Sequence, residues 1–118
     1  MKVSRGDVVL VDFPFASGAA QKLRPAVVVQ NDANNRRLAT TIFAPITSNT
    51  RHLNEPTQVA LDPNTPDGSL TGLLKPSAIK CENLATVETR LVRRKIGTMP
   101  QTLMTPLEAA LKASLGLT

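Results

Sequence analysis

Apolar residues in this chain come in short, dense runs separated by polar and proline-rich stretches, which is the spacing of a β protein. The clearest run is Ala26-Val27-Val28-Val29, unbroken, rich in β-branched side chains and bounded by Arg24-Pro25 and Gln30. It predicts a strand covered on both faces at the centre of a small sheet. Pro25 has no N–H to give a ladder and is expected at the strand's first position. Its ring holds Arg24 in extended backbone. A guanidinium is thereby fixed where a rigid strand leaves a loop, a position that suits binding and catalysis. An arginine that merely closes the strand against a carboxylate also fits these residues.

The remaining runs fill in a sheet. Residues 8–13 predict a first strand stopped by Pro14 and entered through the turn Arg5-Gly6-Asp7. Residues 15–22 lack periodicity and read as a long hairpin loop. Residues 31–37 are polar and turn-rich, with room for one helical turn. Residues 40–44 predict a third strand ended by Pro45, after which Thr47 and Ser48 place two hydroxyls side by side. Residues 57–61 alternate as a half-exposed fourth strand, and 62–71, with Pro63, Pro66 and Gly68, read as a loop. Residues 72–81 form a bent strand interrupted at Pro76, 82–87 continue it, and 95–99 add a short last strand.

One helix stands out. Thr105 is placed as its N-cap, Pro106 at the first helical position and Glu108 as a capping-box partner. The first turn can also begin further back, near Pro100. Leu107, Ala110, Leu111 and Leu115 share a face, and Gly116 suits the position after the last turn. About six strands and one terminal helix give a mainly β fold, a compact antiparallel barrel-like sheet closed by the helix, with residues 1–118 as a single domain.

Composition narrows the chemistry. The 118 residues contain one cysteine and one histidine, which excludes an internal disulfide and a His-cluster metal site and leaves little for a Ser-His-Asp triad. No apolar run reaches transmembrane length, and the start of the chain leads straight into a strand pattern, so neither a membrane span nor a signal peptide is expected. A reducing cytoplasm fits a lone cysteine. The formal charge of +5 permits a polyanionic partner. With three Phe and no Trp or Tyr, such a partner must be held through phosphates and polar edges rather than aromatic stacking.

Taken in order, Arg5-Gly6-Asp7-Val8-Val9, Arg24-Pro25-Ala26-Val27-Val28, Pro45-Ile46-Thr47-Ser48 and Lys80-Cys81-Glu82-Asn83, then Thr86-Val87, resemble the MazF/PemK (Kid) toxin family. The ending Leu111-Lys112-Ala113-Ser114-Leu115-Gly116-Leu117 matches too, and the similarity runs from about Arg5 to Leu117. No single motif is specific; the ordered set is. The resemblance implies an SH3-like barrel, a homodimer and a metal-independent endoribonuclease with no cofactor, cutting single-stranded RNA at short sequences. It also implies an antitoxin whose acidic, disordered C-terminal segment blocks the site. Carried over by position, Arg24 matches the family's arginine before proline, and Thr47 its threonine after the third strand, with Ser48 beside it. Lys80 and Glu82 stand where one branch has an arginine and an aspartate proposed as acid and base, and Asn83 stands where glutamine is common. Ser48, Lys80, Asn83 and Lys22 are assigned to RNA binding; Arg24, Thr47 and Glu82 to catalysis. Two departures stand out. Lys80 keeps the charge but loses arginine's bidentate fork, and residues 15–23 contain no histidine to fill the role one branch gives to a loop histidine.

Metal-free cleavage of RNA is chemically open because the 2′-oxygen can attack its own phosphate. The protein must take the 2′ proton, stabilise added charge on phosphate and assist the leaving oxygen. A threonine hydroxyl stays protonated near neutrality, so Thr47 positions phosphate. Glu82 is the better base, and Arg24 supplies charge. Two rival classes remain at this level: a CcdB-like toxin that binds a topoisomerase without cleaving RNA, and a non-catalytic RNA-binding barrel.

Overall fold

The computed structural model describes residues 2–12 and 23–118. The expected strand end at Phe13 and Pro14, the loop 15–22 and Lys22 lie outside the described residues. The chain runs β1 (Asp7–Asp12), β2 (Leu23–Val28), α1 (Asp32–Arg37), β3 (Thr40–Thr47), β4 (Gln58–Leu61), α2 (Pro66–Ser69), β5 (Ser77–Lys80), β6 (Ala85–Glu88), β7 (Val92–Thr98) and α3 (Gln101–Leu115), with a 3-10 turn at Cys81–Asn83 and another at Thr89–Leu91. All pairings are antiparallel. Strand order is β4-β5-β3-β2-β1-β7, with β6 paired to β3 off this path. The sheet is open rather than a closed barrel, since no ladder joins β4 to β7 among the described residues.

β2 is central, as its apolar run requires. Ala26, Val27 and Val28 have no exposed surface, and β1 and β3 flank them. The strand begins earlier than expected, at Leu23, so Pro25 is its third residue rather than its first. Pro25 sits opposite Leu10 of β1, while the ladder to β3 begins only at Ala26. The missing N–H therefore falls where β2 has no partner on its β3 side.

Pro45 gives the same lesson. It was expected to end the third strand, yet β3 continues through it to Thr47. On one edge of β3, β6 pairs as far as Phe43 and β5 takes over at Ile46. Pro45 falls in the handover, where a donor would have no acceptor.

Alternation splits the core in two. One face carries Val8, Val27, Ala44, Ile46, Val59, Leu61 and Ile79, and α3 covers it with Met104, Leu107 and Ala110. The other face carries Val9, Val11, Ala26, Val28, Phe43, Val87 and Val92. Helix α3 starts at Gln101 after Pro100, so Thr105 is not its cap: the Thr105 hydroxyl donates to the Gln101 carbonyl inside the helix, and Pro106 is interior. Gly116 does close it in left-handed backbone, at φ +69°. Leu115, expected on the buried face, is 59% exposed. The last strand is longer than expected because β7 begins within the basic residues at Val92, and the 62–71 segment contains the short α2, capped by Thr65.

Candidate active site

Cross-strand register brings the sequence's candidates together. The β2–β3 pairs Ala26–Pro45, Val27–Ala44 and Val28–Phe43 put Arg24 and Thr47 at matching positions just beyond the end of the ladder. Alternation turns both away from Val27 and Ile46, hence away from the face that α3 covers. On its other edge β3 pairs Thr47 with Ala78, and two residues further along β5 stands Lys80, opposite Gln58 of β4. By strand spacing the Cα atoms of Thr47 and Lys80 are about 8 Å apart. Arg24, Thr47, Lys80 and Gln58 thus project from one sheet face, contributed by four adjacent strands.

A groove of about 670 Å³ opens at the end of this array. Arg24, Thr47 and Ser48 line it, and its apolar lining includes Leu10, Pro25, Ile46, Leu73 and Ile96. Three further cations line it that the sequence did not single out as site residues: Lys75, Arg94 and Lys95. Lys95 is paired with Asp7 at 3.2 Å, whereas Arg24, Lys75 and Arg94 pair with no carboxylate among the described residues. Three uncompensated cations around one concavity favour an anionic occupant. The Thr47 hydroxyl accepts the Asn49 N–H at 3.1 Å, which fixes its direction at the strand end.

The groove wall is set by two glycines. Gly97 of β7 lies so close to the 71–75 segment that a Cβ there would fall 2.2 Å from the Thr71 carbonyl carbon. Gly72 has φ +76°, and a Cβ on it would fall 2.0 Å from the Ile96 carbonyl oxygen. Only bare backbone lets this segment lie against β7 and present Leu73 and Lys75 to the groove.

Lys80, Glu82 and Asn83 do not line the groove; they form a neighbouring polar cluster. Glu82 sits in the 3-10 turn after β5 and accepts the Gln58 amide N–H at 2.7 Å. Burial alone would raise its carboxyl, but hydrogen bonds from Gln58, its own backbone N–H and Thr57, with the charge of Lys80, hold it below the usual glutamate range. With its amide oriented to satisfy both neighbours, Asn83 accepts from the Lys80 ammonium at 3.3 Å and donates to the Glu82 carbonyl. The turn is anchored from two sides: Cys81 N–H donates to the Thr57 carbonyl at 2.9 Å, and the Ser114 hydroxyl of α3 donates to the Cys81 carbonyl at 2.7 Å. No three His, Cys, Asp or Glu side chains are grouped to hold a metal among the described residues.

Residues 4–115 match the family model described as PemK-like, MazF-like toxin of type II toxin-antitoxin system. The chain belongs to the PemK/MazF toxin family. Two curated relatives agree over nearly the whole length. Endoribonuclease EndoA of Bacillus subtilis (strain 168) is 33% identical over 118 residues, covering 99% of this chain and 97% of the relative. Endoribonuclease MazF of Staphylococcus epidermidis is 32% identical over 116 residues, covering 98% of this chain and 92% of the relative. Among solved structures, an endoribonuclease in complex with its cognate antitoxin, from Mycobacterial species, superposes with a TM-score of 0.78 at 25% identity, covering 98% of this chain and 97% of that one. The sheet and C-terminal helix described above superpose on that solved endoribonuclease over nearly the whole chain.

Proposed function

We propose that this chain is the endoribonuclease toxin of a toxin–antitoxin pair, cutting single-stranded RNA without a metal ion. The observation that carries the reading is the placement of Arg24 and Thr47 at matching positions of β2 and β3, both lining a cation-rich groove, in a chain whose relatives are named endoribonucleases. Arg24 holds the scissile phosphate as a fixed charge, and Thr47 and Ser48 orient it by hydrogen bonds. Glu82, ionised at neutral pH, accepts the 2′ proton. The 2′-oxygen forms a bond to phosphorus as the bond to the 5′-oxygen breaks. That oxygen leaves as a 5′-hydroxyl, taking a proton from the Lys80 ammonium, and a 2′,3′-cyclic phosphate remains. Lys80 and Asn83 also contact the RNA backbone, as does Lys22 from outside the described residues.

The working unit is a homodimer in the cytoplasm, with RNA lying across a face built by both copies. Leu74 at the groove is 98% exposed and Leu23 beside Arg24 is 53% exposed, apolar surface that a second copy or a bound tail would cover. The mycobacterial relative was solved with its cognate antitoxin, which supports an antitoxin partner here; the cations of the groove suit an acidic tail of that partner. A topoisomerase-binding toxin is not favoured, because the relatives are named for RNA cleavage. The test is incubation of purified protein with a long RNA in EDTA. Cleavage leaving cyclic or 3′-phosphate ends is expected; a strict need for a divalent ion, or 3′-hydroxyl ends, overturns the mechanism.

A further inference from the structure

Gln58 has a bonding pattern that simple packing does not explain. It opens β4, the end strand of the sheet, and stands opposite Lys80. Its amide N–H donates to Glu82 Oε2 at 2.7 Å, while its own Oε1 is buried with no partner among the described residues. Turning the amide over would set oxygen against the carboxylate, so the contact with Glu82 fixes the side chain in this sense. A buried acceptor without a donor is unfavourable and calls for a reason. An apolar side chain of the same length would fill the space without leaving an orphan oxygen.

We propose that Gln58 is a positioning residue that holds the Glu82 carboxylate in the orientation from which it takes the 2′ proton. This rests on the reading of Glu82 as the proton acceptor. The backbone of the 81–83 turn is already fixed by Thr57 and Ser114. What the turn's backbone does not fix is the exposed Glu82 side chain, whose three rotatable bonds must be ordered by the groups that bond its carboxylate. Gln58 holds one carboxylate oxygen, Oε2, from the neighbouring strand, while Thr57 and the Glu82 N–H also donate to this carboxylate. Its donated bond also favours the ionised form, so the base is ready at a pH where an ordinary glutamate begins to protonate. The other groups acting on this carboxylate are Lys80 on β5, whose charge also favours ionisation, Thr57 and the Glu82 N–H. The buried Cys81 thiol beneath it is pushed up to about 11, by burial first and then by Glu82 itself, and stays neutral.

The experiment compares wild type, Gln58→Met, Glu82→Gln and the double variant by the pH dependence of single-stranded RNA cleavage, with the carboxyl resonance of Glu82 followed by NMR. Gln58→Met should lower kcat about ten- to a hundredfold with little change in KM. It should move the acid limb to higher pH, because the ionised carboxylate has lost a donor. Glu82→Gln should abolish most cleavage together with that limb, and the double variant should be no slower than Glu82→Gln. Should Gln58→Met not fold, Gln58→Asn keeps the polarity of the strand but falls one methylene short of Glu82. The Glu82 resonance should then titrate at higher pH than in wild type. If Glu82→Gln is inactive but the acid limb of the Gln58 variants stays where it was, the positioning role is overturned and the nuclease reading stands. If Glu82→Gln cleaves like wild type, Glu82 is not the base and this proposal falls, again leaving RNA cleavage intact. A wild-type protein that leaves RNA whole overturns the proposed function itself.

Discussion

Arg24 and Thr47 differ in what their loss should do, because one contributes charge and the other direction. Arg24 is exposed, and its side chain supports no described neighbour. Arg24→Ala should therefore cut cleavage by about two to three powers of ten, the usual effect of removing a preorganised donor. Its melting temperature should stay close to that of wild type. Arg24→Lys restores charge but not the planar fork, and should recover only part of the rate. Unchanged toxicity on expression of Arg24→Ala would remove the residue from the mechanism. Cys81 marks the opposite extreme. It is fully buried, with its thiol pushed up to about 11 by burial and by Glu82. Thiolate is the reactive form, so Cys81 should resist thiol-modifying reagents at neutral pH until the protein unfolds. Rapid labelling of native protein would contradict the packing described.

At the scale of elements, stability should follow which face of α3 is covered. Leu107 is fully buried against the sheet, whereas Leu115 is 59% exposed. Leu107→Ala should cost about 2–5 kcal/mol, and Leu115→Ala should stay within about 0.5 kcal/mol, both read from denaturant melts. Gly97→Ala should act on the groove. Its added methyl would collide with the Thr71 backbone, so the 71–75 segment must move away from β7. RNA affinity should fall in this variant along with stability. The elements also show what the sequence could tell. The run Ala26-Val27-Val28 announced its strand because burial on both faces demands unbroken apolar chemistry. Prolines misled wherever a non-local partner decided their effect. Pro45 stops nothing because β3 changes neighbours there, and Pro106 lies inside a helix whose first turn starts from Pro100. The Thr105-Pro106-Leu107-Glu108 pattern is a good cap locally, but burial of Met104, one turn earlier, extends the helix past it. Arg24, Thr47 and Lys80 were legible as ordered motifs. Gln58, Lys75 and Arg94 were not, since only cross-strand register and the close approach at Gly97 bring them beside the others.

For the whole molecule, the groove should make one surface serve two ligands. Its cations Arg24, Lys75 and Arg94, unpaired among the described residues, suit RNA phosphates, and its apolar lining at Leu73 and Leu74 suits hydrophobic anchors of a peptide. The antitoxin tail proposed above would need acidic and apolar residues to match both features, and apolar anchors would offset the entropy lost on ordering it. RNA affinity should fall steeply with salt, each phosphate contact contributing about 0.7 to the slope of log K against log salt. Lys75→Ala and Arg94→Ala together should reduce that slope by about 1.4 and weaken RNA binding while leaving kcat close to wild type. The tail should show a shallower dependence, because apolar burial supplies part of its affinity and screening acts only on the charged part. The two ligands should then exclude one another. In a titration at fixed RNA, the apparent RNA dissociation constant should rise in proportion to free tail once the tail exceeds its own dissociation constant. An antitoxin acting from a distant surface would behave differently, stopping cleavage with RNA still bound. If saturating tail abolishes cleavage yet leaves RNA affinity unchanged, the shared groove is wrong and inhibition travels through the fold.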